Sequence, residues 1–201
     1  MSQSPALARL RTLREVKPHS FIFEQRNALP AEACEAIIRR FEVAGDEQQP
    51  GRAGEAGNLN ELLKKTTDLV VSGKPAWKDV DQLLFRSLGR AIVEFREAFP
   101  YFKGPFKDLG YQVQRYRPGE YYHWHVDADS RPLAERQLVA LWYLNDVPGP
   151  GGETEFVHQQ VAVRPEQGKL VLFPPFWTHE HRAVTVQEGV KYIATTWVVF
   201  A

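Results

Sequence analysis

Five of the six histidines, His123, His125, His158, His179 and His181, lie in the second half of the chain. His125 stands two residues from Asp127. Imidazoles and carboxylates are ligands for first-row transition metals, and their spacing decides whether they can share one ion. If Tyr121 to Asp127 runs as a strand, alternate side chains point to one face. His123, His125 and Asp127 then point one way, and Tyr122, Trp124 and Val126 the other. A His and a carboxylate two apart can both reach one ion. A third ligand from a distant strand would complete a facial set of two histidines and one carboxylate, leaving three positions open for substrate and oxygen. Strand parity separates neither His123 from His125 nor His179 from His181.

These residues need a framework. From Gly110 onward the sequence breaks into short apolar runs with Pro/Gly punctuation, predicting strands near 111–117, 121–127, 137–144, 161–164, 169–174, 181–186 and 190–200. Turns fall at Pro118-Gly119, Pro148 to Gly152, Glu166 to Gly168 and Glu188-Gly189. Many short strands joined this way predict a mostly β, α+β architecture: a double-stranded β-helix (jelly-roll, cupin-like) core with the N-terminal helices on one outer face. The first half reads as helical. Cys34, Ile37, Ile38 and Phe41 form one stripe after Pro30. Val80, Leu84, Leu88, Ala91 and Phe95 form another in a helix over about Trp77 to Ala98, stopped by Pro100. Residues 44–60 hold four glycines and little periodicity, predicting a long mobile loop, a place where function often resides. The whole chain is expected to be one domain, with a helical part over about 1–105 and a catalytic core over about 106–201.

Bulk composition narrows the classes. The chain has 201 residues, 43% hydrophobic and 25% charged, enough for a single buried core. Formal net charge is zero, so a nucleic-acid partner is not expected. Cys34 is the only cysteine, which excludes an internal disulfide and a thiolate zinc cluster and suits a reducing compartment; a cytoplasmic location is expected. The longest apolar run, Leu138 to Leu144, is far short of the roughly 20 residues of a membrane span. Met1 to Arg14 lacks the apolar segment of a secretory signal and only weakly resembles an arginine-rich transit segment; a surface helix or loose arm is expected there.

Four motifs in order carry a family resemblance. Tyr116-Arg117-Pro118-Gly119, continuing to His125-Val126-Asp127, resembles the Y-x-P-G…H-x-D segment of prolyl-4-hydroxylase-like Fe(II)/2-oxoglutarate-dependent dioxygenases. Tyr143-Leu144-Asn145, followed by Gly151-Gly152-Glu153-Thr154-Glu155-Phe156, resembles that family's YLN…GGET-x-F stretch. Gly168 to Pro174 resembles its G-x-L-hydrophobic-F strand. The last segment places Gly189 eight residues after His181, Lys191 ten after it, and Trp197 six further on. Together these cover most of residues 110–200.

The resemblance implies His125, Asp127 and His181 as catalytic iron ligands; His123 and His179 are then expected to be buried, hydrogen-bonded histidines beside them. It implies that Lys191 grips the distal carboxylate of 2-oxoglutarate, aided by the Tyr143 hydroxyl. Tyr116, Thr195 and Trp197 match pocket residues, though core packing explains them equally well. In a strand over 190–200, Lys191, Ile193, Thr195 and Trp197 share a face. A lysine buried on that face is costly without an anion, whereas on an exposed face it is ordinary. The implied cofactors are Fe(II), 2-oxoglutarate and O2, with ascorbate as a candidate reductant. The implied reaction hydroxylates a peptidyl proline or amino-acid-like substrate, releasing succinate and CO2. Asp127 argues against a halogenase, which lacks this carboxylate. Arg136 matches a substrate-contacting arginine of the oxygen-sensing prolyl hydroxylases by position only and is expected to be exposed. Substrate selection is expected from 44–60 and Ala128 to Glu135. The rival readings are a non-catalytic jelly-roll ligand-binding module and a nucleic-acid demethylase of the same superfamily. Partners are expected to be a small molecule or peptide, with no membrane; oligomeric state is left open.

Overall fold

The computed structural model describes residues 12–53 and 59–201. Two antiparallel sheets face each other. The larger contains β1 (Leu13–Glu15), β2 (Phe23–Gln25), β3 (Gln49–Pro50), β5 (Thr67–Val70), β6 (Phe106–Asp108), β7 (Gln112–Tyr116), β9 (Arg136–Tyr143), β12 (Leu170–Phe173) and β14 (Lys191–Phe200). The smaller contains β4 (Lys64–Lys65), β8 (Tyr121–His125), β10 (Thr154–Phe156), β11 (Val161–Val163) and β13 (His181–Ala183). Their orders are β1-β2-β12-β9-β14-β7-β5-β3, with β6 also on β14, and β11-β10-β13-β8-β4. This is the expected jelly roll.

Why the strand from Arg136 to Tyr143 reads as an unbroken apolar run is now plain: it is buried on both faces. Leu138, Ala140 and Trp142 point to one core, and Val139, Leu141 and Tyr143 to another. The first core lies under α1 (Ala31–Val43) and α2 (Lys78–Ala98), which apply Cys34, Ile37 and Phe41, and Val80, Leu84, Leu88, Ala91 and Phe95, to the outer face of the larger sheet. The second fills the space between the sheets, where Val139, Leu141, Phe156, Phe173 and Ile193 meet. Trp142 also anchors through its ring N–H, which donates to Ser87 on α2 at 3.0 Å.

The first half departs from its helical reading. Besides the two helices it supplies β1 to β5, and β2 pairs with β12 while β5 pairs with β7. These strands are two to four residues long, too short for a period-2 pattern to register. Within 44–60 the chain makes a 3-10 turn at Gly45–Glu47 and then β3, so the segment is not wholly irregular. Residues 54–58 of that loop, and residues 1–11 of the expected N-terminal arm, lie outside the described residues.

Candidate metal centre

Between the sheets lies a cavity, and His125, Asp127 and His181 converge on its wall. One ligand atom from each lies within 4.8 Å of the other two, the only such cluster among the described residues. β13 and β8 run side by side with His181 opposite His125. The two imidazoles sit 4.2 Å apart between ring centres, and His181 Nε2 is 3.3 Å from the Asp127 carboxylate. Asp127 lies just past β8, where its N–H and that of Ala128 both donate to the Pro175 carbonyl at 3.0 Å. That ties the loop after β8 to the loop after β12.

The rings are oriented by the main chain. His125 Nδ1 bonds the carbonyl of His123 at 2.7 Å, and His181 Nδ1 bonds the carbonyl of His179 at 2.9 Å. In both, the acceptor is the residue two positions earlier, which turns Nε2 towards the cavity. A second bond of this kind fixes ring plane and tautomer in metal-binding histidines. Burial, with His181 close by, pushes the His125 imidazole down to about 3, so it presents a neutral lone pair. Burial alone would raise Asp127, but the His181 bond, His125 and Arg136 hold its carboxyl well below the usual carboxylate range.

Two expectations about neighbouring histidines part company. His179 is buried as expected, its Nε2 3.0 Å from the Ser20 carbonyl and its Nδ1 2.9 Å from the Thr178 hydroxyl. His123 is exposed and stacks on Tyr121 at 4.2 Å. The reason is a bulge: β13 pairs Ala183 with Tyr122 and His181 with His125, so His123 and Trp124 of β8 together face the single residue Arg182. The bulge breaks the alternation expected for 121–127. Tyr122 joins His125 on the cavity side, stacked against it at 3.5 Å and 11°, and His123 leaves.

The other end of the cavity holds Lys191, fully buried, whose ammonium has no hydrogen-bond partner. It sits 4.8 Å from the centre of the Tyr116 ring and 5.5 Å from that of Tyr143. Burial pushes Lys191 down to about 7, with the charge of Glu153 opposing. The Tyr143 hydroxyl is engaged by Thr154 at 2.6 Å and by the Val163 carbonyl at 3.0 Å. Thr154 lines the cavity, a residue quoted within the GGET motif but given no role there. The turn carrying that motif needs glycine: a Cβ on Gly151 would stand 2.0 Å from the Thr185 carbonyl. Tyr116, Thr195 and Trp197 line the cavity with Lys191, and the Tyr116 hydroxyl donates to Gln114 at 2.9 Å.

Arg136, Asp129, Leu133 and Gln112 also line the cavity. Arg136 is half-buried rather than exposed. It stacks on Trp197 at 3.9 Å and donates to the Asp127 carbonyl at 2.6 Å. A cation–aromatic pair on adjacent strands is not written in either residue's local sequence.

Residues 111–199 match the family model of the 2OG-Fe(II) oxygenase superfamily. The fold is shared with a viral collagen prolyl hydroxylase from Paramecium Bursaria Chlorella virus-1, solved as a 2OG complex, at 20% identity and TM-score 0.67, over 93% of this chain and 99% of that one. A Trichoplax adhaerens prolyl hydroxylase, solved with a hypoxia inducible factor peptide, aligns at 16% identity and TM-score 0.77 over 90% and 84%. A Pseudomonas putida prolyl-4-hydroxylase aligns at 22% identity and TM-score 0.66 over 89% and 92%. No curated protein matches the sequence.

Proposed function

We propose that this chain, whose residues 111–199 fall in the 2OG-Fe(II) oxygenase superfamily, is a dioxygenase that hydroxylates a proline presented in a peptide. The observation that carries the reading is the pairing of two unlike needs in one cavity. Two histidines and an aspartate converge at one place, and an unpartnered buried ammonium waits at the other. A metal alone accounts for the first and leaves Lys191 unexplained. A ligand with one end on the metal and an anionic group at the far end accounts for both, and 2-oxoglutarate is such a ligand.

The residues fit the group. His125 and His181 have Nδ1 engaged by main-chain carbonyls, His181 Nε2 faces the Asp127 carboxylate at 3.3 Å, and nitrogen and oxygen donors of this set suit Fe(II). Fe(II) and 2-oxoglutarate, when bound with O2, supply oxidative decarboxylation to succinate and CO2 coupled to hydroxylation of a substrate C–H bond. Lys191 would hold the distal carboxylate, with the Thr154 hydroxyl beside it. Leu141, Phe173 and Ile193 line the cavity and exclude water, which strengthens that ion pair. Trp197, Arg136, Gln112 and Leu133 would form the substrate side of the cavity. Ascorbate would serve as the reductant that keeps the iron ferrous. The described helices include none long and apolar enough to cross a membrane. The two helices share one core with the larger sheet, which supports reading the described residues as a single domain. The peptide reading draws on the Trichoplax neighbour, solved with a peptide.

The test is anaerobic addition of Fe(II) and 2-oxoglutarate, followed by visible absorption. A charge-transfer band that needs both components is expected. Under air, prolyl peptides should stimulate succinate release and gain one oxygen atom by mass, and free proline should do so far less. Absence of the band would remove the dioxygenase reading; a band with free proline preferred would remove the peptide.

A further inference from the structure

Lys64 and Asp68 form a buried ion pair that the metal and anion sites leave unused. The ammonium lies 2.7 Å from the Asp68 carboxylate, and both side chains are at most 5% exposed. They sit on different sheets. β4, which carries Lys64, is the edge of the smaller sheet, and β5, which carries Asp68, belongs to the larger one. The chain crosses from sheet to sheet between them, so the pair bridges the two sheets beside the cavity that Lys64 lines.

The crossing is fastened in other ways. The Thr66 hydroxyl donates to the other Asp68 oxygen at 2.7 Å, and the Gly51 N–H donates to the Thr66 carbonyl at 2.9 Å. A Cβ on Gly51 would stand 1.9 Å from the Thr66 hydroxyl, so the 49–53 segment packs this tightly only through glycine. The ammonium itself has Asp68, the Arg52 carbonyl at 3.5 Å and the Tyr122 ring at 5.3 Å around it. With those neighbours Lys64 is not a free cation for a substrate, although it lines the cavity.

Its path to the metal centre is short. Lys64 pairs with Tyr122 across β4 and β8, and the Tyr122 ring stacks on His125 at 3.5 Å and 11°. The His125 ring cannot tilt out of its plane without moving Tyr122, whose ring has the Lys64 ammonium over it at 5.3 Å and β4 beside it in the sheet. β4 is two residues long, too short to hold itself on an edge by main-chain bonds alone.

We propose that Lys64 is a positioning residue: its bond to Asp68 clasps the two sheets beside the cavity and, through Tyr122, fixes the imidazole plane of His125. This rests on His125 being a metal ligand. Groups that orient a metal-binding histidine through a neighbour typically change metal affinity by about 10–100-fold when removed.

The test is anaerobic titration of the metal-free full chain with Co(II), read by its d–d absorption, alongside thermal unfolding. Lys64→Met should weaken Co(II) binding by about 10–100-fold and shift the d–d envelope. Lys64→Arg should restore most of both, and Tyr122→Leu should reproduce the Lys64→Met spectrum. A folded Lys64→Met protein with wild-type affinity and spectrum overturns the clasp, even if it melts earlier. Should Lys64→Met fail to fold, Asp68→Asn decides by the same two readouts. Wild-type protein that takes up no Co(II) would instead strike the metal reading, so the two failures are distinguishable.

Discussion

The two ends of the cavity are built on opposite principles. Around the candidate metal ligands the protein has satisfied what it can. Each imidazole has its Nδ1 on a carbonyl two residues back, and the Asp127 main chain is bonded to Pro175. Around Lys191 it has left a charge bare, ringed by Tyr116 and Tyr143, with the Tyr143 hydroxyl already committed to Thr154 and Val163. A neutral, oriented imidazole is stable before any metal arrives. A buried ammonium is not stable before its anion arrives. Geometry therefore prepares one end and electrostatic need prepares the other.

The largest effect that could break this contrast is at Lys191. Lys191→Ala should raise the 2-oxoglutarate requirement by about 10²-fold or more, because a buried carboxylate stripped of its cation loses about 3–5 kcal/mol. Metal binding should survive, since no atom of Lys191 is bonded to the ligand set. Titration of 2-oxoglutarate into Co(II)-loaded protein measures it. Unchanged cosubstrate affinity would show that the bare charge serves something else.

The opposite sign is expected without cosubstrate. Lys191→Met replaces an unpaired buried charge with an apolar chain of similar length and should stabilise the ligand-free protein by about 1–4 kcal/mol. pH sharpens the point. The folded value of about 7 lies below the ordinary 10.5, so the unfolded chain holds this proton more tightly. Below about pH 7 both states are charged and the full burial cost is present. From about pH 7 towards 10.5 the folded lysine is neutral while the unfolded one is still charged, so this group's contribution to stability improves as pH rises. The advantage of Lys191→Met in urea unfolding should shrink over that window. 2-Oxoglutarate affinity should fall over it, because binding must then bring a proton. An advantage that stays constant with pH would mean Lys191 is not the titrating group.

How much of this could be read from the residues alone follows the same division. Long elements with a strong period were legible: α2 from its apolar stripe, and the 137–144 strand from its unbroken run. His125, Asp127, His181 and Lys191 were singled out from motif order and spacing, and the structure brings them to one cavity. What local pattern could not carry was anything set by a register shift or by a contact between distant strands. The alternation argument put His123 on the metal face, and the β8 bulge removed it while adding Tyr122. Nothing in the sequence around Lys64 and Asp68, opposite charges four residues apart, says that a sheet-to-sheet crossing buries both. Arg136 read as exposed for the same reason: its partner, Trp197, is on another strand.

The smallest effects test whether the metal end is held by the main chain, as the contrast requires. His123 contributes its carbonyl to His125 while its own ring lies exposed against Tyr121. His123→Ala keeps that carbonyl and should change stability by no more than about 0.5 kcal/mol, as for other exposed positions, with Co(II) affinity unaltered. His179 offers a carbonyl to His181 in the same way, but its buried ring also bonds the Ser20 carbonyl. His179→Ala should therefore cost about 1–3 kcal/mol in urea unfolding, through an unsatisfied buried acceptor. Metal affinity should again hold, because the carbonyl that orients His181 is still there. If His123→Ala abolished Co(II) binding at unchanged stability, its imidazole rather than its carbonyl would be what the metal needs, and the register of β8 would have to shift.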